Sequence, residues 1–221
     1  MILCIADLLT AAEVDRLRGL FDAGPLQDGT RTAGWHAKLV KDNQQMSGPA
    51  AAEAQALVVA ALKRNPLFRS AVMPRRIRPP LLARYGSGQT YGDHIDDAIM
   101  GEDNPVRSDV SCTVFLRDPD EYDGGELVMD TTGGEQMFKL PVGAAITYSS
   151  YTLHRVAPVT RGVREVAVTW VQSMVREADR REILFDLDRS RRAVFDREGK
   201  TPLFDTLTKS HANLLRLWAE I

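Results

Sequence analysis

Cysteine is nearly missing from this chain: Cys4 and Cys112 are the only two in 221 residues. A disulfide framework is excluded, and the usage suits a reducing, cytoplasmic compartment. Histidine is scarce as well, limited to His36, His94, His154 and His211, so any imidazole-based ligand set has few members to draw on. No stretch approaches the roughly 18 apolar residues of a membrane-spanning helix. The opening MILCIADLLT lacks a basic start, is interrupted by Asp7 and is followed by no small-residue cleavage site. It reads as a strand leading into a helix, with Thr10 and Glu13 as a capping box, and not as an export signal. An excess of either charge is also absent: 28 Lys and Arg against 30 Asp and Glu leave a formal charge of −2. That balance disfavours nucleic acid as a partner.

With 44% hydrophobic and 26% charged residues, the composition is that of a globular protein. Helical periodicity covers residues 10–23 and 50–64, the second stopped by Asn65-Pro66. Between them, alternation over Gly34–Lys41 predicts a strand. From residue 77 the chain turns into short β-type runs separated by Gly, Pro, Asp and Asn: Ile77–Tyr85, Ser108–Leu116, Gly125–Met129, Gln136–Lys139, Ala144–Tyr148 and Glu165–Ser173. That spacing indicates an antiparallel sandwich or barrel and not a parallel sheet with crossover helices. Residues 176–198 hold seven Arg matched by seven Asp or Glu, the pattern of a solvated amphipathic helix. A last helix over Leu203–Ile221 carries an apolar face that must pack on the main domain or on another subunit. The division expected is a main domain over 1–177 and a helical C-terminal extension over 178–221. The extension is a candidate surface for a homo-oligomer.

Chemistry concentrates at three positions. In RYGSGQTYGDHID, an extended backbone would place His94 and Asp96 on one face, their Cα atoms about 6.5–7 Å apart. His154 follows 58 residues later in YSSYTLHRVAPVTRG, a gap that accommodates several antiparallel strands. Two His and one carboxylate on one face of an octahedron leave three open positions, the facial triad of non-haem Fe(II) oxygenases. His-x-Asp by itself is an ordinary surface pattern. The added signal is Arg164, ten residues after His154 across a turn built from Pro158, Arg161 and Gly162, because a guanidinium beside an iron site is the natural bidentate partner of a carboxylate.

These segments, with SCTVFLRDPDEYDGGELVM, LPVGAAITYSSYTLHRVAPVTRG and WVQSMVR, resemble the bacterial PKHD-type hydroxylases, relatives of the prolyl 4-hydroxylases. The resemblance is close over residues 77–190 and extends along the whole chain. It implies a double-stranded β-helix, or jelly roll, and an Fe(II)- and 2-oxoglutarate-dependent dioxygenase. Residue by residue, His94, Asp96 and His154 fall on the iron ligands and Arg164 on the 2-oxoglutarate-binding arginine. The resemblance further implies dioxygen as co-substrate, succinate and carbon dioxide as products, and L-ascorbate as a reductant. A carboxylate at Asp96 argues for hydroxylation over halogenation, because related halogenases carry a small residue there. Tyr85 falls near a tyrosine that bonds the 2-oxoglutarate carboxylates in related prolyl hydroxylases, and Tyr91 is a weaker candidate for the same role.

Trp35, Lys38 and Gln44 are candidates for the substrate mouth, although surface or packing roles suit each better. Glu126 could reach the pocket, Cys112 should lie in the core, and His211 should be exposed on the last helix. Two other classes stay open. One is a non-catalytic iron or 2-oxoglutarate sensor. The other is a metal-dependent cupin isomerase or ring-cleaving enzyme, which would need no second carboxylate anchor. The primary substrate is open among a peptidyl proline, an amino-acid-like molecule and a siderophore-related one.

Overall fold

The computed structural model describes residues 1–221. The chain begins with β1 (Leu3–Ile5), α1 (Ala11–Ala23), β2 (Leu26–Asp28), β3 (Lys41–Asp42), β4 (Gln44–Met46), α2 (Gly48–Arg64) and α3 (Pro66–Val72). It continues through β5 (Pro74–Ile77), β6 (Leu81–Tyr85), β7 (Thr90–His94), β8 (Ile99–Met100), β9 (Val106–Arg107), β10 (Val110–Phe115), β11 (Tyr122–Gly124) and β12 (Leu127–Thr131). The remainder is β13 (Gly134–Phe138), β14 (Ala145–Ser149), β15 (His154–Val156), β16 (Val159–Gly162), β17 (Arg164–Ser173), α4 (Ala178–Glu198) and α5 (Pro202–Trp218).

The larger sheet is antiparallel, in the order β1-β14-β10-β17-β6-β4-β2, with β5 also paired to β17. Five strands form the smaller sheet, in the order β13-β12-β15-β7-β3. Alternation along the larger sheet decides what lies between the two. Cys112 and Val114 point outward and pack with Leu17, Phe21, Val58, Leu62 and Phe68 of the three N-terminal helices. Phe115, Tyr85, Ile146, Tyr148 and Val166 point inward and meet Leu127, Met129 and Val156 of the smaller sheet. This is the double-stranded β-helix implied by the family resemblance, with helices covering one outer face. The capping box at Thr10 is formed, since Glu13 N–H donates to Thr10 Oγ1 at 3.3 Å and Thr10 N–H to Glu13 Oε2 at 2.9 Å.

Four local expectations need correction. Gly34–Lys41 is not a strand. Lys38, Leu39 and Val40 donate to the carbonyls of Gly34, His36 and Ala37, giving a 3₁₀ turn over Ala37–Leu39. Trp35 and Leu39 stay exposed, because no sheet face is available to bury their alternation. Asn65-Pro66 ends α2 as expected but also starts α3: the Asn65 side chain accepts from Phe68 N–H at 2.9 Å, and Pro66 supplies the first helical residue. Pro79-Pro80 divides the run Ile77–Tyr85 into β5 and β6. The segment after Pro158 is a strand, β16, paired with β11, where only a turn was expected.

The extension docks on the body. Val175 and Leu184 pack with Met73, and Leu214, Leu215 and Trp218 close over them. Ser70 Oγ donates to Asp188 Oδ2 at 2.7 Å and Arg107 Nη1 to Glu220 Oε2 at 2.9 Å. Arg181 and Asp188 of α4 are buried, so this helix is solvated on one side only.

One buried carboxylate ties the outer layer together. Glu165, fully buried on β17, accepts from Arg84 Nε of β6 and from Arg117 Nε after β10, both at 2.7 Å. Removing it leaves the two guanidinium groups only longer, more exposed contacts, Arg84 with Asp22 at 3.6 Å and Arg117 with Glu121 at 3.5 Å. Glu165→Ala is expected to lower stability by about 3 kcal/mol, read as a lower urea midpoint at unchanged slope. A change within about 0.5 kcal/mol, the range of an ordinary surface substitution, would show that the clamp holds nothing.

Candidate metal and 2-oxoglutarate site

Strand pairing creates the site. In the smaller sheet β15 lies antiparallel to β7 with His154 directly opposite His94, and the two rings stand 4.3 Å apart between centroids. Asp96 lies just past the end of β7, not within it, and its Oδ2 reaches to 3.9 Å from His154 Nε2. One ligand atom from each of His94, Asp96 and His154 falls within 4.8 Å of the others.

Hydrogen bonds fix which atoms are free. His94 Nδ1 lies 2.8 Å from Gly92 O and His154 Nδ1 lies 2.9 Å from Thr152 O. A carbonyl only accepts, so both rings carry their proton on Nδ1 and offer an unprotonated Nε2. Burial, with His154 beside it, brings His94 down to about 3, which keeps it in the neutral form a metal requires. Asp96 Oδ2 accepts from Ser111 Oγ at 2.6 Å. Ser111 has thereby used its proton, so Ser150 Oγ, 2.8 Å away, donates to it. Such outer hydrogen bonds orient metal ligands and tune their basicity. Two imidazole nitrogens and one carboxylate, facing a cavity, suit a ferrous ion with open positions.

That cavity has a volume of about 510 Å³ and lies between the sheets. Arg164 projects into it from the first residue of β17. The residue is 1% exposed, yet its Nε and Nη1 have no hydrogen-bond partner. Aromatic faces are its neighbours, with the guanidinium 5.0 Å from the Tyr85 ring centroid and 5.9 Å from that of Phe115. A buried, unpaired guanidinium is costly, and the donors left open match a carboxylate. The nearby alternatives are already occupied: Arg155 pairs with Glu135 at 2.7 and 2.8 Å, and Arg161 with Asp123 at 2.6 and 3.0 Å, both near the surface. Gly125 leaves room for the Arg164 stem, since a Cβ there would stand 3.0 Å from Arg164 Cδ. Tyr85 is buried in the cavity wall beside Arg164, and burial raises its hydroxyl pKa, so it stays protonated. Tyr91 stacks on His94 with centroids 3.6 Å apart and planes 14° from parallel.

The remaining candidates divide. Trp35, Lys38 and Gln44 are exposed and do not line the cavity, and neither does Glu126. Cys112 is in the core, where burial pushes its thiol up to about 12. His211 is half-buried and not exposed, because α5 packs along α4 near Asp188 and Arg191. Lys41, Asn43 and Gln45 were not foreseen, yet all three are buried and line the cavity, while Asp42 and Gln44 between them face out.

Residues 80–172 match the 2OG-Fe(II) oxygenase superfamily and residues 179–220 the PKHD-type hydroxylase C-terminal domain. A PKHD-type hydroxylase of Acaryochloris marina is 51% identical over the full length of both chains. The chain belongs to the PKHD-type hydroxylase family. It is an oxidoreductase of the 2-oxoglutarate- and Fe(II)-dependent class. In fold, this PKHD-type hydroxylase is similar to a 2OG-Fe(II) oxygenase family oxidoreductase from Burkholderia pseudomallei, with a TM-score of 0.60 at 21% identity over 77% of this chain and 85% of the other. It is also similar to a Trichoplax adhaerens prolyl hydroxylase solved with a hypoxia inducible factor peptide, with a TM-score of 0.56 at 16% identity over 78% and 83%.

Ser111 offers a test of the carboxylate arm that leaves every proposed ligand intact. Ser111→Ala is expected to weaken divalent-metal binding by about 10- to 100-fold, measured by anaerobic titration with Fe(II). Binding equal to that of the parent would show that Asp96 needs no support from Ser111.

Proposed function

We propose that His94 and His154, through Nε2, and a carboxylate oxygen of Asp96 hold Fe(II), and that Arg164 holds the distal carboxylate of 2-oxoglutarate with Tyr85 beside it. The observation that carries this assignment is the Arg164 guanidinium, buried in the triad's own cavity with Nε and Nη1 unpartnered. When bound, the ion and 2-oxoglutarate supply the oxidising power for placing one oxygen atom of dioxygen into a C–H bond, with succinate and carbon dioxide released. The chain's own work is geometric and electrostatic. Gly92 and Thr152 carbonyls orient the two imidazoles, Ser111 and Ser150 orient the carboxylate, and Arg164 fixes the length and direction of the keto acid. Tyr85, Phe115 and Tyr148 keep water from the guanidinium, which strengthens its pairing. The substrate is a peptidyl proline, an amino-acid-like molecule or a siderophore-related one, and L-ascorbate serves as the reductant that returns the iron to the ferrous state.

The same reading extends to organisation. Residues 1–177 are the dioxygenase domain and 178–221 a helical extension, in a cytoplasmic protein whose two thiols are free. Ile183, Phe195, Leu203 and Leu217 of the extension are exposed apolar side chains. They support association into a homo-oligomer through α4 and α5.

The test separates the co-substrate anchor from the metal. Losing one partner of a shielded charge pair costs about 2–5 kcal/mol, so Arg164→Ala is expected to weaken 2-oxoglutarate binding by roughly 30- to 3000-fold. Calorimetric titration of the iron-loaded, anaerobic protein reads this, and iron affinity should be unchanged because the guanidinium is not a ligand. Arg164→Lys should recover only part of the loss, an ammonium lacking the planar fork. Parent-like 2-oxoglutarate binding by Arg164→Ala would overturn the anchor. An absence of succinate from the iron-loaded parent, supplied with 2-oxoglutarate, oxygen and ascorbate, would overturn the catalytic reading itself.

A further inference from the structure

A second buried cation shares the cavity. Lys41, on β3, is 9% exposed and lines the same space as His94, Asp96, His154 and Arg164. Its Nζ has three donors and one hydrogen bond, to Thr32 Oγ1 at 3.3 Å, and no carboxylate lies within salt-bridge distance. Thr32 is itself committed, donating its single proton toward Gln45 Oε1 at 2.9 Å or Gly29 O at 3.2 Å. The ammonium sits 5.0 Å from the Tyr91 ring centroid, and that ring is stacked on His94. Lys41 is therefore one aromatic layer away from the triad.

Arg78, half-buried at the cavity's mouth, adds a third cation with no hydrogen-bonded carboxylate. It also lines a neighbouring groove that carries Arg69, Arg75 and Arg76. Asp96, Asp97 and Glu102 line the cavity too, and Asp96 and Asp28 act on Lys41 only through space, so none of them fills its open donors. With Fe(II) and 2-oxoglutarate held as proposed above, the metal takes the Asp96 carboxylate and the keto acid takes Arg164, and neither supplies a partner to Lys41. The co-substrate has no group to spare for it, since one end goes to the metal and the other to Arg164. A buried ammonium with two open donors is retained at a desolvation cost, and an incoming oxyanion removes that cost.

We infer that Lys41 is a specificity-determining residue that binds an oxyanion of the primary substrate, so that the substrate is a carboxylate-bearing small molecule or peptide end. Arg78 receives the anion at the mouth, and Lys41 takes it inside. A carboxylate on Lys41 anchors the substrate in the triad's own cavity, one aromatic layer from His94. Neutral analogues of the same shape lack this anchor and leave the ammonium unpaired, which is the stronger source of discrimination.

The experiment uses the full chain loaded with Zn(II), as a redox-inert ion, and 2-oxoglutarate. N-acetylglycine, N-acetylproline and benzoate are compared with their primary amides by ligand-observed NMR. The acids are expected to bind the parent protein and the matched amides to bind roughly 10- to 100-fold more weakly, the worth of a hydrogen bond to a charged group. Lys41→Met should erase the preference and Lys41→Arg should keep it, while 2-oxoglutarate remains bound in all three. The parent comparison needs no variant, so it stands even where Lys41→Met does not fold. No acid preference in the parent overturns the inference, as does an acid preference that survives in Lys41→Met. Loss of 2-oxoglutarate from Lys41→Met also overturns it, by assigning Lys41 to the co-substrate. Failure of the parent to bind 2-oxoglutarate at all would instead count against the Arg164 anchor.

Discussion

The pairing of His94 with His154 across β7 and β15 is the constraint on which the site depends. Strand register is quantised: a slip of one residue turns a side chain to the opposite face. With the two histidines directly opposite each other and both facing the cavity, only one register brings both Nε2 atoms to a common point. The flanking sheet enforces it. Leu127 and Met129 on β12 pair with Val156 and His154 of β15, and all three apolar side chains are buried in the inter-sheet core. A slip would turn that apolar set toward solvent, so core burial and ligand geometry select the same register. The carboxylate of Asp96 is freer, because it follows the strand, and the Ser111–Ser150 pair on the facing sheet supplies the restraint the backbone does not.

The same period-two logic separates the two charges at the start of β17. Arg164 faces inward, toward the cavity, and Glu165 faces outward, into a clamp formed by Arg84 and Arg117. The outward carboxylate is paired and the inward guanidinium is not. Adjacent residues of opposite charge thus face opposite sides of one sheet, one paired in the outer layer and one open to the cavity. The neighbouring strand β6 serves both, since it carries Tyr85 beside Arg164 and Arg84 beside Glu165. Displacing the strand by one position would bury Glu165 in the cavity and strand Arg164 among the helices. The sheet's own energetics therefore guard the proposed anchor.

Much of the site was legible in the sequence because its residues have few substitutes. Four histidines among 221 residues, one of them in His-x-Asp and another ten residues before an Arg, leave little freedom of assignment. Antiparallel β architecture was legible from the spacing of turn residues, and α1 from its capping box. What escaped detection did so for physical reasons. Lys41, Asn43 and Gln45 alternate with Asp42 and Gln44, so both faces of that segment are polar and hydropathy cannot tell the inward one. The polar triplet faces in because the cavity, not the core, lies behind it. Trp35 and Leu39 gave the reverse error, since their alternation had no sheet to bury it and local 3₁₀ hydrogen bonds prevailed. Ser111 is an ordinary serine in a buried strand, and only the fold brings it to Asp96. His211 depended on how α5 packs against α4, a relation with no local signature.

The most direct measurement is a crystal structure of the protein grown anaerobically with Fe(II) and 2-oxoglutarate. The account predicts one ion bound by Nε2 of His94, Nε2 of His154 and an oxygen of Asp96, with the distal carboxylate of 2-oxoglutarate hydrogen-bonded to the guanidinium of Arg164 and no part of it on Lys41. An ion held elsewhere, a histidine ligated through Nδ1, or 2-oxoglutarate lying with its distal carboxylate away from Arg164 would contradict it.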